Sequence, residues 1–122
     1  MREIKFRVWD KWNKQYFENI NNIFITGNGE VGIVDKYGHN LIEEYQERFI
    51  TEQYTGMTDA DGVVIIEGDI LKDFDENVIV GFVEYNEAYG EYSCGYDSLY
   101  EATRDCAVIG NIHENQELLE DK

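Results

Sequence analysis

The sequence predicts a mostly β fold: one domain over residues 1–122 of short antiparallel strands, as a small barrel or two packed sheets, with one or two short helices. Three observations carry this. Apolar and polar residues alternate with a period of two or form short β-branched runs, clusters of Gly, Asn and Asp interrupt them at short intervals, and the chain has no proline. Its 122 residues suit one hydrophobic core, since cores typically serve roughly 100–150 residues before a chain divides.

The stretch Ile4-Lys5-Phe6-Arg7-Val8-Trp9-Asp10 places Ile4, Phe6 and Val8 on one face of a half-buried strand. Lys11 to Lys14 reads as a turn, and Gln15 to Glu18 returns antiparallel with Tyr16 or Phe17 toward the core. Ile23 to Thr26 and Val31 to Val34 flank Gly27-Asn28-Gly29-Glu30, a hairpin signal in which Asn and Gly both tolerate positive φ. Asp35 to Asn40 is turn-rich. Leu41, Tyr45 and Phe49 fit a helical stripe, whereas Ile50 to Tyr54 looks extended, so the segment from 41 to 49 stays open between the two.

Thr58 to Gly62 punctuates the chain before the β-branched strand Val63 to Ile66, and Glu67-Gly68-Asp69 turns into Ile70 and Leu71. Val78 to Tyr85 is continuous enough in apolar residues for a central strand covered on both faces, with Tyr89 to Tyr92 pairing back. The run from 67 to 92 is SH3-like by analogy. Ala107 to Ile112 is a last strand, and Glu114 to Glu120 reads as a short helix capped by Asn115.

Twenty-six acidic against ten basic residues give a formal charge of −16, which favours solubility and repels phosphate backbones and anionic membranes. The exception is the start, where Arg2, Lys5, Arg7, Lys11 and Lys14 outnumber Glu3 and Asp10; this basic strand is expected to lie against its own acidic body. Cys94 and Cys106 form no disulfide framework, and the chain opens on Met-Arg-Glu without an apolar leader, so the expected location is the reducing cytoplasm of a bacterial host. No segment approaches the ~18 apolar residues of a membrane span, so no membrane association is expected.

Three segments, in this order and spacing, resemble the YopX family of phage and prophage proteins. They are Arg2 to Lys11, Gln53-Tyr54-Thr55-Gly56 through Asp61-Gly62 to Glu67-Gly68-Asp69-Ile70, and Val108-Ile109-Gly110-Asn111-Ile112 with Glu114-Asn115. His113 and Gln116 stand where the family usually has Tyr and Pro. The resemblance implies a β-rich domain of undetermined biochemical role, with no catalytic residues to carry over. Gln53, Tyr54, Gly56, Glu67, Gly68, Asp69, Gly110 and Asn111 are the candidate turn or interaction residues, the glycines falling where turns or bulges exclude a Cβ.

Motifs with chemical content weigh toward structural readings. Gly27 to Gly32 matches G-x-G-x-x-G, but a strand-like Val31 to Val34 follows where a dinucleotide site needs a helix N-terminus. Asp59-Ala60-Asp61-Gly62 evokes a Ca²⁺ loop, yet the positions requiring carboxylates fall on Met57 and Gly68. His39, His113, Cys94 and Cys106 lack zinc spacing, and no cofactor is expected. Glu67 and Asp69 are the one pair suited to acid/base work, and Tyr85, Tyr89, Tyr92, Tyr96 and Tyr100 the one aromatic recognition cluster.

The leading expectation is a non-catalytic accessory protein acting through an unidentified protein partner or through self-association. The alternatives are a nucleic-acid-associated module using the basic strand, an acidic nucleic-acid mimic, and a small hydrolase using Glu67 and Asp69. Duplex DNA is not an expected partner: affinity falls with log K by about 0.9 per phosphate contact per tenfold rise in salt, and the acidic remainder repels the duplex over a Debye length of roughly 8 Å. Titration of labelled duplex at about 150 mM salt should show no micromolar binding; binding lost on joint replacement of Lys5, Arg7 and Lys11 would overturn this.

Overall fold

The computed structural model describes residues 5–17 and 22–120. The fold is mostly β, with three antiparallel sheets, one of them curled into a half-barrel, and a single short α-helix among the described residues. The chain divides into two compact units, residues 6–52 and residues 1–5 with 53–122. Strand β6 (Phe49–Thr58) passes from one to the other.

In the unit of residues 6–52, β1 (Phe6–Asp10) turns back into β2 (Gln15–Tyr16), with Trp9 opposite Tyr16. Val8 and Phe49 join Val31 in its core, with Phe17 and Ile23 packed against them. Val8, Trp9 and Asp10 are all buried, so the expected alternation stops at Val8. Ile4 and part of the Gln15–Glu18 return lie outside the described residues. The next strands are β3 (Ile23–Ile25), β4 (Val31–Val34) and β5 (Asn40–Ile42), in the order β3-β4-β5.

The β3–β4 hairpin forms as expected, by a different turn. Thr26 N–H donates to Glu30 O across a three-residue loop, and only Gly29 has positive φ, so the Asn28-Gly29 pair does not make the two-residue turn that both residues would permit. Gly32 sits under the Phe24 ring across the ladder, where any Cβ would strike the ring, and no helix follows it. Residues 41–49, open in the sequence, resolve as the end of β5 and a 3-10 turn at Gln46–Arg48. The Gln46 amide brackets β4, accepting from Val31 N and donating to Val31 O.

Two ion pairs tie β1 to β6 and to the 3-10 turn that precedes it. Arg7 Nε donates to Glu52 Oε1 at 2.8 Å, and Tyr16 Oη donates to the same oxygen at 2.7 Å. Arg48 grips both Asp10 oxygens, at 2.9 and 2.6 Å, while its guanidinium lies over the Trp12 and Phe49 rings. Of the basic strand, Arg7 thus meets a carboxylate of its own unit, Glu52.

The other unit continues through β7 (Val64–Ile66), β8 (Asp69–Asp73), β9 (Val78–Asn86), β10 (Glu91–Cys94), β11 (Asp97–Ser98), α1 (Leu99–Ala102) and β12 (Cys106–Asn111). Its sheet order is β11-β10-β9-β8-β12, which makes β9 central as expected. Only Val83 of β9 is fully buried, so the expected cover on both faces is absent. Ile65, Leu71, Val83, Cys94, Leu99, Ala102 and Cys106 form the core. Helix α1, capped by Ser98, was not legible in the sequence. The expected helix at 114–120 is one 3-10 turn, Gln116–Leu119, and Asn115 caps nothing in it; its Oδ1 accepts instead from Asn111 N.

Two measurements follow. Gly68 has φ +88°, donates its N–H to Val83 O and accepts from Ile112 N, so Gly68→Val should destabilise by more than ~1 kcal/mol while Glu67→Gln costs much less; urea midpoints compare them. The Arg48 hydrogen bonds, helped by those from Trp12 N and Asn13 N and opposed by burial, lower the Asp10 pKa from 3.8 to about 2. A folded-state pKa below the unfolded one contributes stability that is present above the unfolded value and lost as pH falls through the folded one. Asp10→Asn should thus cost about 2 kcal/mol near neutrality, with the gap from wild type closing as pH drops from about 5 to 2.

Candidate functional site

The site is assembled from an irregularity in β6. Tyr54 pairs with Ile66 and Thr58 with Val64, so Thr55, Gly56 and Met57 stand opposite Ile65 alone. Gly56 takes φ +85° within this bulge, and Thr55 Oγ1 pins it by donating to Ile65 O and accepting from Met57 N. Beside it, Gln53 and Glu67 are joined twice: Gln53 N–H donates to Glu67 Oε1 at 2.5 Å and Glu67 N–H to Gln53 O at 3.1 Å.

Gly68 then links β9 and residue 112 through its own backbone, and the buried Asp69 accepts from Ile66 N at 2.9 Å. Asp69 pairs with Asn111 across β8 and β12. Asn111 Oδ1 accepts from His113 N and Glu114 N, and its Nδ2 donates to Glu114 Oε1. Gly110 follows a bulge in β12, and a Cβ there would collide with the Asn115 side chain. The structure thus brings Gln53, Glu67, Gly68, Asp69 and Asn111 into one hydrogen-bonded junction. Tyr54 is turned to Lys5, whose ammonium lies 5.8 Å from its ring centre.

A groove of about 640 Å³ opens over this junction, lined by Gln53, Thr55, Met57, Glu67, Tyr85, Gly90, Glu91 and Tyr92. Tyr85 and Tyr92 face each other across β9 and β10, edge to face, with ring centres 5.3 Å apart. Glu67 and Glu91 supply carboxylates at its wall. Two rings and two carboxylates suit a cationic or hydrogen-bond-donating side chain. Of the expected tyrosine cluster, Tyr85 and Tyr92 line this groove; Tyr89, Tyr96 and Tyr100 stand exposed outside it, Tyr100 under the Arg104 guanidinium. Thr55 and Met57 were not singled out in the sequence because a bulge, not a motif, brings them there, and Glu91 arrives through the β9–β10 pairing.

Other chemistry is constrained by packing. Cys94 and Cys106 are free and buried; burial above all, and for Cys94 the neighbouring Cys106, pushes their thiols up to about 12 and about 11, so both stay protonated at neutral pH. Among the described residues no group of three His, Cys, Asp or Glu is placed to hold a metal ion. No helix among them is long and apolar enough to cross a membrane. Asp59 Oδ1 accepts from Asp61 N and Val63 N and its Oδ2 from Val108 N, so the apparent Ca²⁺ loop is a turn whose first carboxylate is filled by amides. Those amide bonds hold the Asp59 pKa low against the opposing effect of burial.

No curated protein matches this chain. Among solved structures, the crystal structure of protein EF1440 from Enterococcus faecalis is similar at 28% identity and a TM-score of 0.64, covering 98% of this chain and 100% of that one. Residues 5–120 match the family described as YopX protein, nearly the whole length of the chain. With the fold shared along both chains and the match running almost end to end, the chain belongs to the YopX family.

Proposed function

We propose that this chain is a non-catalytic phage or prophage accessory protein of the host cytoplasm that contacts a partner protein through the groove between the β6 bulge and the β9–β10 hairpin. The observation that carries this is the Tyr85–Tyr92 pair set beside Glu67 and Glu91 in a concave wall. The partner it suits offers a basic segment, since residues 1–5 with 53–122 hold eighteen acidic residues against five basic ones. Tyrosine gives large contact area at little conformational cost, which supports binding over chemistry here.

The alternatives find less support. A hydrolase would need Glu67 and Asp69 to act on a substrate, yet both carboxylates already accept backbone amides. A nucleic-acid module would need the basic strand, in which Arg7 is committed to Glu52 and Lys5 lies over Tyr54. An acidic mimic could draw on many exposed carboxylates, Glu84, Glu87, Glu91, Asp97, Glu101 and Asp105 among them, but it gives the paired Tyr85 and Tyr92 rings no part.

Tagged protein should retain its partner when purified from host cells, and Tyr85→Ala with Glu91→Lys, both at exposed positions, should weaken that binding at least ~10-fold, about 1.4 kcal/mol, while Tyr96→Ala leaves it unchanged. A partner held equally by the double variant would sink the groove reading.

A further inference from the structure

Strand β5 ends the β3-β4-β5 sheet, and all three of its residues are exposed. Its register against β4 pairs Ile33 with Leu41, and the flanking bonds run from Glu43 N to Val31 O and from Asp35 N to His39 O. Backbone groups alternate in direction along an antiparallel ladder, so those of residues 39, 41 and 43 face β4 while those of Asn40 and Ile42 face outward. Among the described residues nothing pairs with that edge. The strand carries no Lys, no Pro and no charge, and Leu41 and Ile42 are about half exposed, so its three-residue length is what blunts this edge.

We propose that β5 pairs antiparallel with β5 of a second copy about a two-fold axis through Leu41, joining two three-stranded sheets into one of six. This register is self-complementary. Asn40 of each copy meets Ile42 of the other and both exchange N–H and C=O bonds, Leu41 meets Leu41 on the axis, and Glu43 meets His39, opposite in charge when the imidazole is protonated. Repulsion between copies is least on this unit, because residues 6–52 hold eight acidic and five basic residues while the rest of the chain carries most of the negative charge. The pairing uses no residue of the groove and stands apart from the partner proposed for it.

Sedimentation equilibrium over a range of concentrations tests the pairing. A species of twice the 14.3 kDa chain mass is expected. Ile42→Pro, which removes an outward N–H, and Leu41→Lys, which sets two cations together on the axis, should each raise the midpoint concentration at least ~10-fold with circular dichroism unchanged. His39→Glu should weaken pairing in the same way, and adding Glu43→Lys should restore it, a recovery that a purely local effect of His39 on Asp35 would not produce. A chain that stays monomeric at high concentration, or a dimer indifferent to all these changes, overturns the proposal.

Discussion

With a dozen strands among the described residues and no proline, the chain must satisfy the backbone amides at each reversal without the stiffening that proline supplies, and side-chain oxygens of Asp, Asn and Thr meet this demand. Asp10 accepts from Trp12 and Asn13, Asp35 from Tyr37 and His39, Asp59 from Asp61 and Val63, Asp73 from Asp75 and Glu76, and Asn111 from His113 and Glu114. Thr26 and Asn86 do the same in their turns. Each such bond occupies an amide that, left unpaired, costs about 1–3 kcal/mol where it is buried. Part of the negative charge, at Asp10, Asp35, Asp59 and Asp73, is therefore architectural.

The same device reaches beyond single turns. Asp59 adds Val108 of β12 to its own loop, so one carboxylate fixes a reversal and a distant strand together. Glu67 closes on Gln53 and Asp69 on Ile66, which fastens the β7–β8 turn to β6 where the bulge begins. The groove is a product of this fastening: with Thr55 to Met57 facing Ile65 alone, the bulged strand bends and opens a concave wall under the β9–β10 hairpin.

What the sequence shows and what it hides follow from the range of the interactions. Strands 1, 2, 3, 4, 7, 8, 9, 10 and 12 were legible because alternation, β-branching and short reversals are local, and Glu67-Gly68-Asp69 was legible as a turn because Gly68 needs its positive φ. Hidden were features decided by partners far along the chain. Asn115 looks like a helix cap until Gly110 leaves room for its amide to reach Asn111, and α1 is only one turn, too short for periodicity. Arg48 gives no local sign that it belongs to Asp10, 38 positions earlier. Of the groove, the tyrosines and Glu67 stood out in the sequence, but their meeting with Thr55 and Met57 depends on a bulge that pairing alone reveals.

The groove's carboxylates also bear on the choice between binding and catalysis. A carboxylate that shuttles protons must change charge while keeping its position, and Glu67 holds its position by accepting the Gln53 amide. Protonation weakens that acceptor, and withdrawal toward a substrate strands the amide, so each turnover would loosen the β6–β7 junction on which the groove's shape depends. A ligand that approaches the exposed Glu91 carboxylate and the rings of Tyr85 and Tyr92 makes no such demand. Binding leaves the junction closed, and the geometry is used as it stands.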